Sequence, residues 1–188
     1  MFFQRYFNDH HKRVFVIGVN PGRFGSGETG IPFTDPVALQ DACGVDNDLR
    51  KRRELSSSFI YRVIERLGGA RVFYKSFYLT AASPIGFVSG GKNQNYYDSS
   101  ALLKRVTPFI ARSLREQCDI GAKSQAVILG KGLNYQNMAK WNEELGLFSE
   151  LTALEHPRFI MQYRRNELAW HVERYCEVLT QTRSLRSR

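Results

Sequence analysis

Val14–Val19 (VFVIGV) is a short apolar run that closes on Asn20-Pro21-Gly22. It reads as a buried strand meeting a tight loop. Ala126–Gly130 (AVILG) has the same character and predicts another buried strand. Val72–Thr80 (VFYKSFYLT) is rich in aromatic and branched residues and predicts a third, and Phe148–Leu154 predicts a fourth, leading into His156-Pro157. Helical segments fall between them. Asp35–Gly44 can hold a short helix. The Ser56–Ser58 triplet can cap a helix that ends at Gly68-Gly69. Ser99–Cys118 is a helix candidate in which Pro108 is expected to cause a kink or break. Leu133–Leu145 and Met161–Leu179 are the remaining helices, and 81–97 is expected to be irregular. Apolar strands alternating with helices define an α/β fold with a mostly parallel sheet covered on both faces. Residues 1–180 read as one domain and 181–188 as a basic, frayed tail.

In such folds the site lies outside the carboxyl ends of the strands. Three unusual segments follow predicted strands: GVNPGRFGSGETGIPF, the loop after Thr80, and EHPRF. In the first, Pro21 biases Asn20 away from the helical region, so its amide is presented rigidly at a strand end. It can orient a water or donate a hydrogen bond; Asn-Pro and Pro-Gly are equally common turn signals. Four glycines from Gly22 to Gly30 imply a close backbone approach. The pattern is not a Walker A loop, and Gly22, Gly25 and Gly27 do not make GxGxxG. Phe33, after Pro32, can stack on a flat base or fill the core.

His156, held by Pro157, can donate into a pocket or serve the structure alone. Arg158, Phe159, Arg164 and Arg165 follow. Arginines beside bulky apolar groups suit a loop that contacts phosphates and wedges into a base stack, although Phe159–Met161 can also begin an amphipathic helix. Asp35 can orient a group near the first motif or cap the helix that begins at Pro36.

The 27 basic and 18 acidic residues leave a formal net charge of +9. That excess points to a polyanionic partner, nucleic acid first, ahead of an anionic membrane or plain solubility. Cys43, Cys118 and Cys176 form no CxxC pair, and His10, His11, His156 and His171 form no HExxH. No metal and no cofactor are expected. No apolar run approaches the roughly 20 residues that span a bilayer. The N-terminus is not a secretion signal, so a cytoplasmic location is expected.

Together these residues resemble the uracil-DNA glycosylase superfamily, and within it the single-strand-selective monofunctional branch and a bacterial subgroup of it. Gly18–Phe33 is similar to that branch's GMNPGPFG…TGVPF segment, and His156-Pro157 to its HP motif before the intercalating loop. The resemblance implies a three-layer α/β/α sandwich around a four-stranded, mostly parallel sheet. It implies that Asn20 positions the attacking water, Phe33 stacks on the flipped base and His156 hydrogen-bonds the pyrimidine O2. It also implies that the backbone of Gly22, Arg23 and Phe24 lines the base pocket. The partner would be DNA, single-stranded or locally opened, and the enzyme a monomer. An amide is a poor general base, so modest turnover is expected, and no lysine stands out as a Schiff-base nucleophile.

Two departures stand out. Ala81 occupies the place where the relatives carry an Asn that reads the pyrimidine edge, within an HNYCP-like segment; Ser83 or Asn95 are candidate substitutes. Without the paired contacts, discrimination for uracil weakens and hypoxanthine or xanthine can compete. The relatives' HPSPRN becomes HPRFIMQYRR, which leaves the wedge residue open between Arg158 and Phe159. The rival readings are a DNA-binding module that kept the fold without cleavage, and an enzyme on free nucleosides or nucleotides.

Overall fold

The strand Arg13–Gly18 is buried along its whole length, as a strand covered on both faces must be. The computed structural model describes residues 1–184. Along the chain the elements are α1 (Phe2–Tyr6), β1 (Arg13–Gly18), α2 (Ser26–Thr29), α3 (Pro36–Asp41), α4 (Leu55–Arg66), α5 (Ala70–Ser76) and β2 (Phe77–Ala81). They continue with β3 (Phe87–Ser89), β4 (Lys92–Gln94), α6 (Ser100–Asp119), β5 (Ala122–Leu129) and α7 (Leu133–Leu145). The chain finishes with β6 (Glu150–Leu154), α8 (Pro157–Tyr163), a 3-10 turn (Arg165–Glu167) and α9 (Leu168–Ser184). The main sheet has four strands in the order β2-β1-β5-β6, all paired in parallel.

Successive side chains of a strand point to opposite faces. Val14 and Val16 of β1, with Val127 and Leu129 of β5, face a core built with α4, α5, α8 and α9. Phe15 and Ile17, with Ala126 and Ile128, face a second core closed by Val106, Ile110 and Leu114 of α6 and Met138 and Trp141 of α7. The result is the three-layer α/β/α sandwich around a four-stranded parallel sheet that the resemblance implies.

Local boundaries differ from the sequence reading in six places. The segment 70–76 is helical rather than the start of a strand, because Ala70, Phe73 and Tyr74 are buried at helical spacing while Val72 is exposed. Its β-branched and aromatic composition was outweighed by that periodicity. Ser56–Ser58 do not cap α4: the N-cap is Glu54, and Ser56 and Ser57 are buried inside the first turn. Pro108 does not break α6. It lies on the exposed side, where water can take the carbonyl it leaves without a donor. The irregular stretch holds the antiparallel hairpin β3–β4. The C-terminal helix is two helices, α8 and α9, parted at Arg164. Of the expected basic tail, 181–184 belong to α9, with Thr182 buried; the rest, 185–188, lies outside the described residues.

Candidate active site

β1 sends the chain toward β2 on one side, and β5 sends it toward β6 on the other. Between their carboxyl ends lies the topological switch point, where open α/β sheets hold ligands. A small cleft opens there, lined by Val19, Asn20, Pro21, Gly22, Ser26, Pro32, Phe33, Glu54, Ser56, Ala81 and His156. The ends of β1, β2 and β6 therefore meet at one edge, as the three unusual segments require.

Asn20 leaves β1 with its amide clamped. Nδ2 donates to the Gln94 carbonyl at 3.0 Å, and Oδ1 accepts from the Tyr96 N–H at 3.1 Å. The hairpin β3–β4 and the residues after it thus set which way the amide faces. One lone pair of Oδ1 remains for a water. Gly86 lets this hairpin close: a Cβ there would stand 2.5 Å from the Pro21 carbonyl oxygen.

Phe33 is buried, with φ of 55°, a left-handed backbone that a bulky residue rarely adopts. Its ring rests over Gly18, where a Cβ would come within 2.6 Å of the ring carbon Cε2. The ring centroid is 6.0 Å from that of His156.

His156 is the N-cap of α8, and Pro157 follows at a position where no N–H is needed. Its Nδ1 accepts from the Arg158 N–H at 3.1 Å. That bond requires an unprotonated Nδ1, so the neutral ring carries its proton on Nε2. Burial, and then the Arg158 charge, push its pKa down to about 4. At neutral pH His156 is an uncharged donor.

The sequence reading missed Glu54, Ser56 and Ser26. Glu54 follows the positive cluster Leu49–Arg53, so it looks like one more residue of a solvated charged run. In the fold its carboxyl is enclosed by the glycine-rich loop. A Cβ on Gly22 would stand 3.3 Å from Oε1, and one on Gly25 would collide with Oε2. The close approach that the glycines imply is made to this carboxyl at Gly25, and to it and the Asn93 amide at Gly22. Burial is the main cause that raises its pKa to about 7.

Other expected site residues lie elsewhere. Arg23 and Phe24 do not line the cleft; they line an adjoining groove with Arg52, Arg53, Lys92, Asn93 and Arg158, which shares Glu54 and Ser56 with the cleft. The Arg52 guanidinium stacks 3.8 Å over the Phe24 ring. Ser83 is fully buried and donates to the Ile85 carbonyl at 2.9 Å, and the Asn95 amide donates to Asp98. Asp35 is buried as the cap of α3: Oδ1 accepts from the Ala38 N–H at 2.8 Å and Oδ2 from the Glu54 N–H at 2.9 Å. Arg158 and Phe159 lie in the first turn of α8 rather than in a loop. Phe159 is 40% exposed and packs on the exposed Tyr163; Arg164, which ends that helix, and Arg165, which begins the 3-10 turn, are exposed. Among the described residues no cluster of His, Cys, Asp and Glu has metal-binding geometry, and no helix is long and apolar enough to cross a membrane.

This fold, with Asn20, Phe33 and His156 gathered at one strand edge, is accompanied by a match of residues 4–180 to the family described as the uracil DNA glycosylase superfamily. The chain belongs to that superfamily, in its SMUG-like branch. Among solved structures it is similar to the crystal structure of wild-type SMUG2 from Pedobacter heparinus, at 39% identity and a TM-score of 0.93. That match covers 98% of this chain and 81% of the other. No curated protein matches the chain significantly.

Proposed function

We propose that the chain is a monofunctional DNA glycosylase. It takes a deaminated base out of single-stranded or locally opened DNA and hydrolyses its N-glycosidic bond, leaving an abasic site. The observation that carries this reading is the neutral His156 facing the same cleft as the clamped Asn20 amide and the Phe33 ring. A base leaving the stack slides against Phe33. His156 Nε2–H donates to the acceptor nearest the glycosidic nitrogen, O2 of uracil or ring N3 of a deaminated purine. As the C1′–N bond breaks, its electron pair goes to the base, and that donor stabilises the charge. Asn20 Oδ1 holds the water whose oxygen bonds to C1′ and whose proton is released. Uracil is the first candidate base, with hypoxanthine and xanthine beside it. A monomer acting without metal or cofactor suffices for these steps.

A second reading, a DNA-binding protein that kept the fold and cleaves weakly or not at all, is favoured by Ala81, which gives the cleft a methyl group at the strand end. The two readings separate in one assay. Purified protein is incubated with single-stranded and duplex oligonucleotides carrying uracil, hypoxanthine or xanthine, and alkali reveals abasic sites. The glycosylase reading expects release that is lost in Asn20→Ala and His156→Ala. Tight binding with no release from any base would select the second reading.

A further inference from the structure

Glu54 is the one carboxyl among the residues lining the cleft. Its backbone N–H is tied to Asp35, which fixes the residue at the start of α4. Its carboxyl takes no hydrogen bond from the described residues, and the groups that act on it do so through their charge alone: Arg158 and Arg52 lower its pKa, and Asp35 and Glu28 raise it. Burial outweighs all four. Glu54 is half-buried, and solvent still reaches its carboxyl oxygens; drawing a carboxyl partly out of water without a protein partner costs stability. The glycine-rich loop passes beside it: a Cβ on Gly25 would collide with Oε2, and one on Gly22 would make a tight contact with Oε1 at 3.3 Å. Such a group is kept for something that enters the cleft.

We propose that Glu54, the carboxyl in the cleft that also holds Asn20, Phe33 and His156, is the residue that reads the base there, pairing with the lactam edge shared by uracil, hypoxanthine and xanthine. The inference rests on the glycosylase reading for its ligand. Uracil presents O4 and N3–H; hypoxanthine and xanthine present O6 and N1–H. Both are an acceptor beside a donor. A protonated carboxyl offers the complement, an O–H for the base carbonyl and a C=O for the lactam N–H. An amide makes the same two bonds, and Ala81 has no group that can make either. The carboxylate form keeps one bond and sets its negative charge against the base carbonyl. DNA phosphates that neutralise Arg158 and Arg52 remove the two charges that favour the carboxylate, so bound DNA promotes the reading form.

The test compares wild type with Glu54→Gln and Glu54→Ala on two readouts from pH 5.5 to 9, chosen as about one and a half to two units either side of the Glu54 titration. The first is single-turnover release of uracil from single-stranded DNA. The second is the Kd for a single-stranded oligonucleotide carrying 2′-fluoro-2′-deoxyuridine, whose electron-withdrawing fluorine resists formation of the cationic sugar and so blocks cleavage. Wild type is expected to lose both as the pH rises through about 7. Glu54→Gln keeps the donor and acceptor, so it is expected to retain release and to lose that pH limb. Glu54→Ala is expected to fall about 10- to 100-fold on both readouts, as the loss of two hydrogen bonds implies. Ionisation of the base itself occurs in all three proteins and cancels. A limb near 7 that persists in Glu54→Gln, or an Ala variant that matches wild type, would overturn the proposal. If no protein releases uracil but the binding limb is present in wild type and absent in Glu54→Gln, base reading by Glu54 stands and the cleavage reading fails. Binding indifferent to pH and to both substitutions sinks Glu54 whatever the cleavage assay gives.

Discussion

Two polar clusters flank Phe33 and Thr34, and they are built on opposite rules. In the first, Tyr61 Oη lies 2.9 Å from Thr34 Oγ1, 3.0 Å from Cys43 Sγ and 3.2 Å from Tyr74 Oη. The Cys43 carbonyl in turn accepts from Tyr6 and Arg5. Every one of these side chains has a protein partner, and burial holds the Tyr61 and Tyr74 hydroxyls protonated. In the second, the cleft, Asn20 is clamped, but the Glu54 carboxyl and His156 Nε2 have no partner among the described residues. A closed network specifies packing. An open one stores hydrogen-bonding capacity for a ligand, at a cost in stability.

Substitutions should therefore have opposite effects in the two clusters. The largest effect is expected for His156→Ala, which removes the donor aimed at the leaving base. Single-turnover base release should fall about 10²- to 10³-fold, with only the loss of about 1 kcal/mol that removing the α8 N-cap costs. Wild-type release from that variant would mean the open cleft atom is not a catalytic donor. Next in size is Tyr61→Phe, which leaves its neighbours short of a partner. Urea unfolding should show a loss of about 1–3 kcal/mol, while base release per folded molecule stays at the wild-type value. A variant as stable as wild type would show that the closed cluster contributes nothing.

Acid sharpens the same contrast. His156 has a folded pKa of about 4 against an ordinary 6.5, so between those values the unfolded chain binds the extra proton. Stability is then complete above 6.5 and falls as the pH drops toward 4. His156→Gln should remove that part of the loss, read as a smaller decline of the urea midpoint between pH 6.5 and 4.5. The smallest effect is expected for Glu54→Gln. Its folded pKa is raised from 4.5 to about 7, so its contribution to stability is present below 4.5 and lost as the pH rises through 7. The Gln variant should be slightly more stable than wild type at pH 8, a gain that no member of the closed cluster can show.

What the sequence by itself determined is what short stretches of chain encode. Apolar runs without alternation placed β1 and the core of β5. Asn20-Pro21-Gly22 and His156-Pro157 restrict their own backbones, so two of the cleft's polar side chains were legible at their strand ends. Asp35 before Pro36 announced a cap, which it is. The tertiary structure decided the rest. It took the Ala70–Ser76 segment into a helix because three residues had a core to enter at helical spacing. It split the C-terminal helix at Arg164 and put Arg158 and Phe159 on α8. It folded 87–94 into a hairpin whose backbone turns the Asn20 amide. It also drew Glu54 out of a basic, solvated run and set its carboxyl, half-buried, against Gly22 and Gly25. A carboxyl's proton affinity depends on how much water surrounds it and which charges face it. Apart from the neighbouring Arg52, both are set by segments remote in sequence, so the chemistry of Glu54 exists only once the chain has folded.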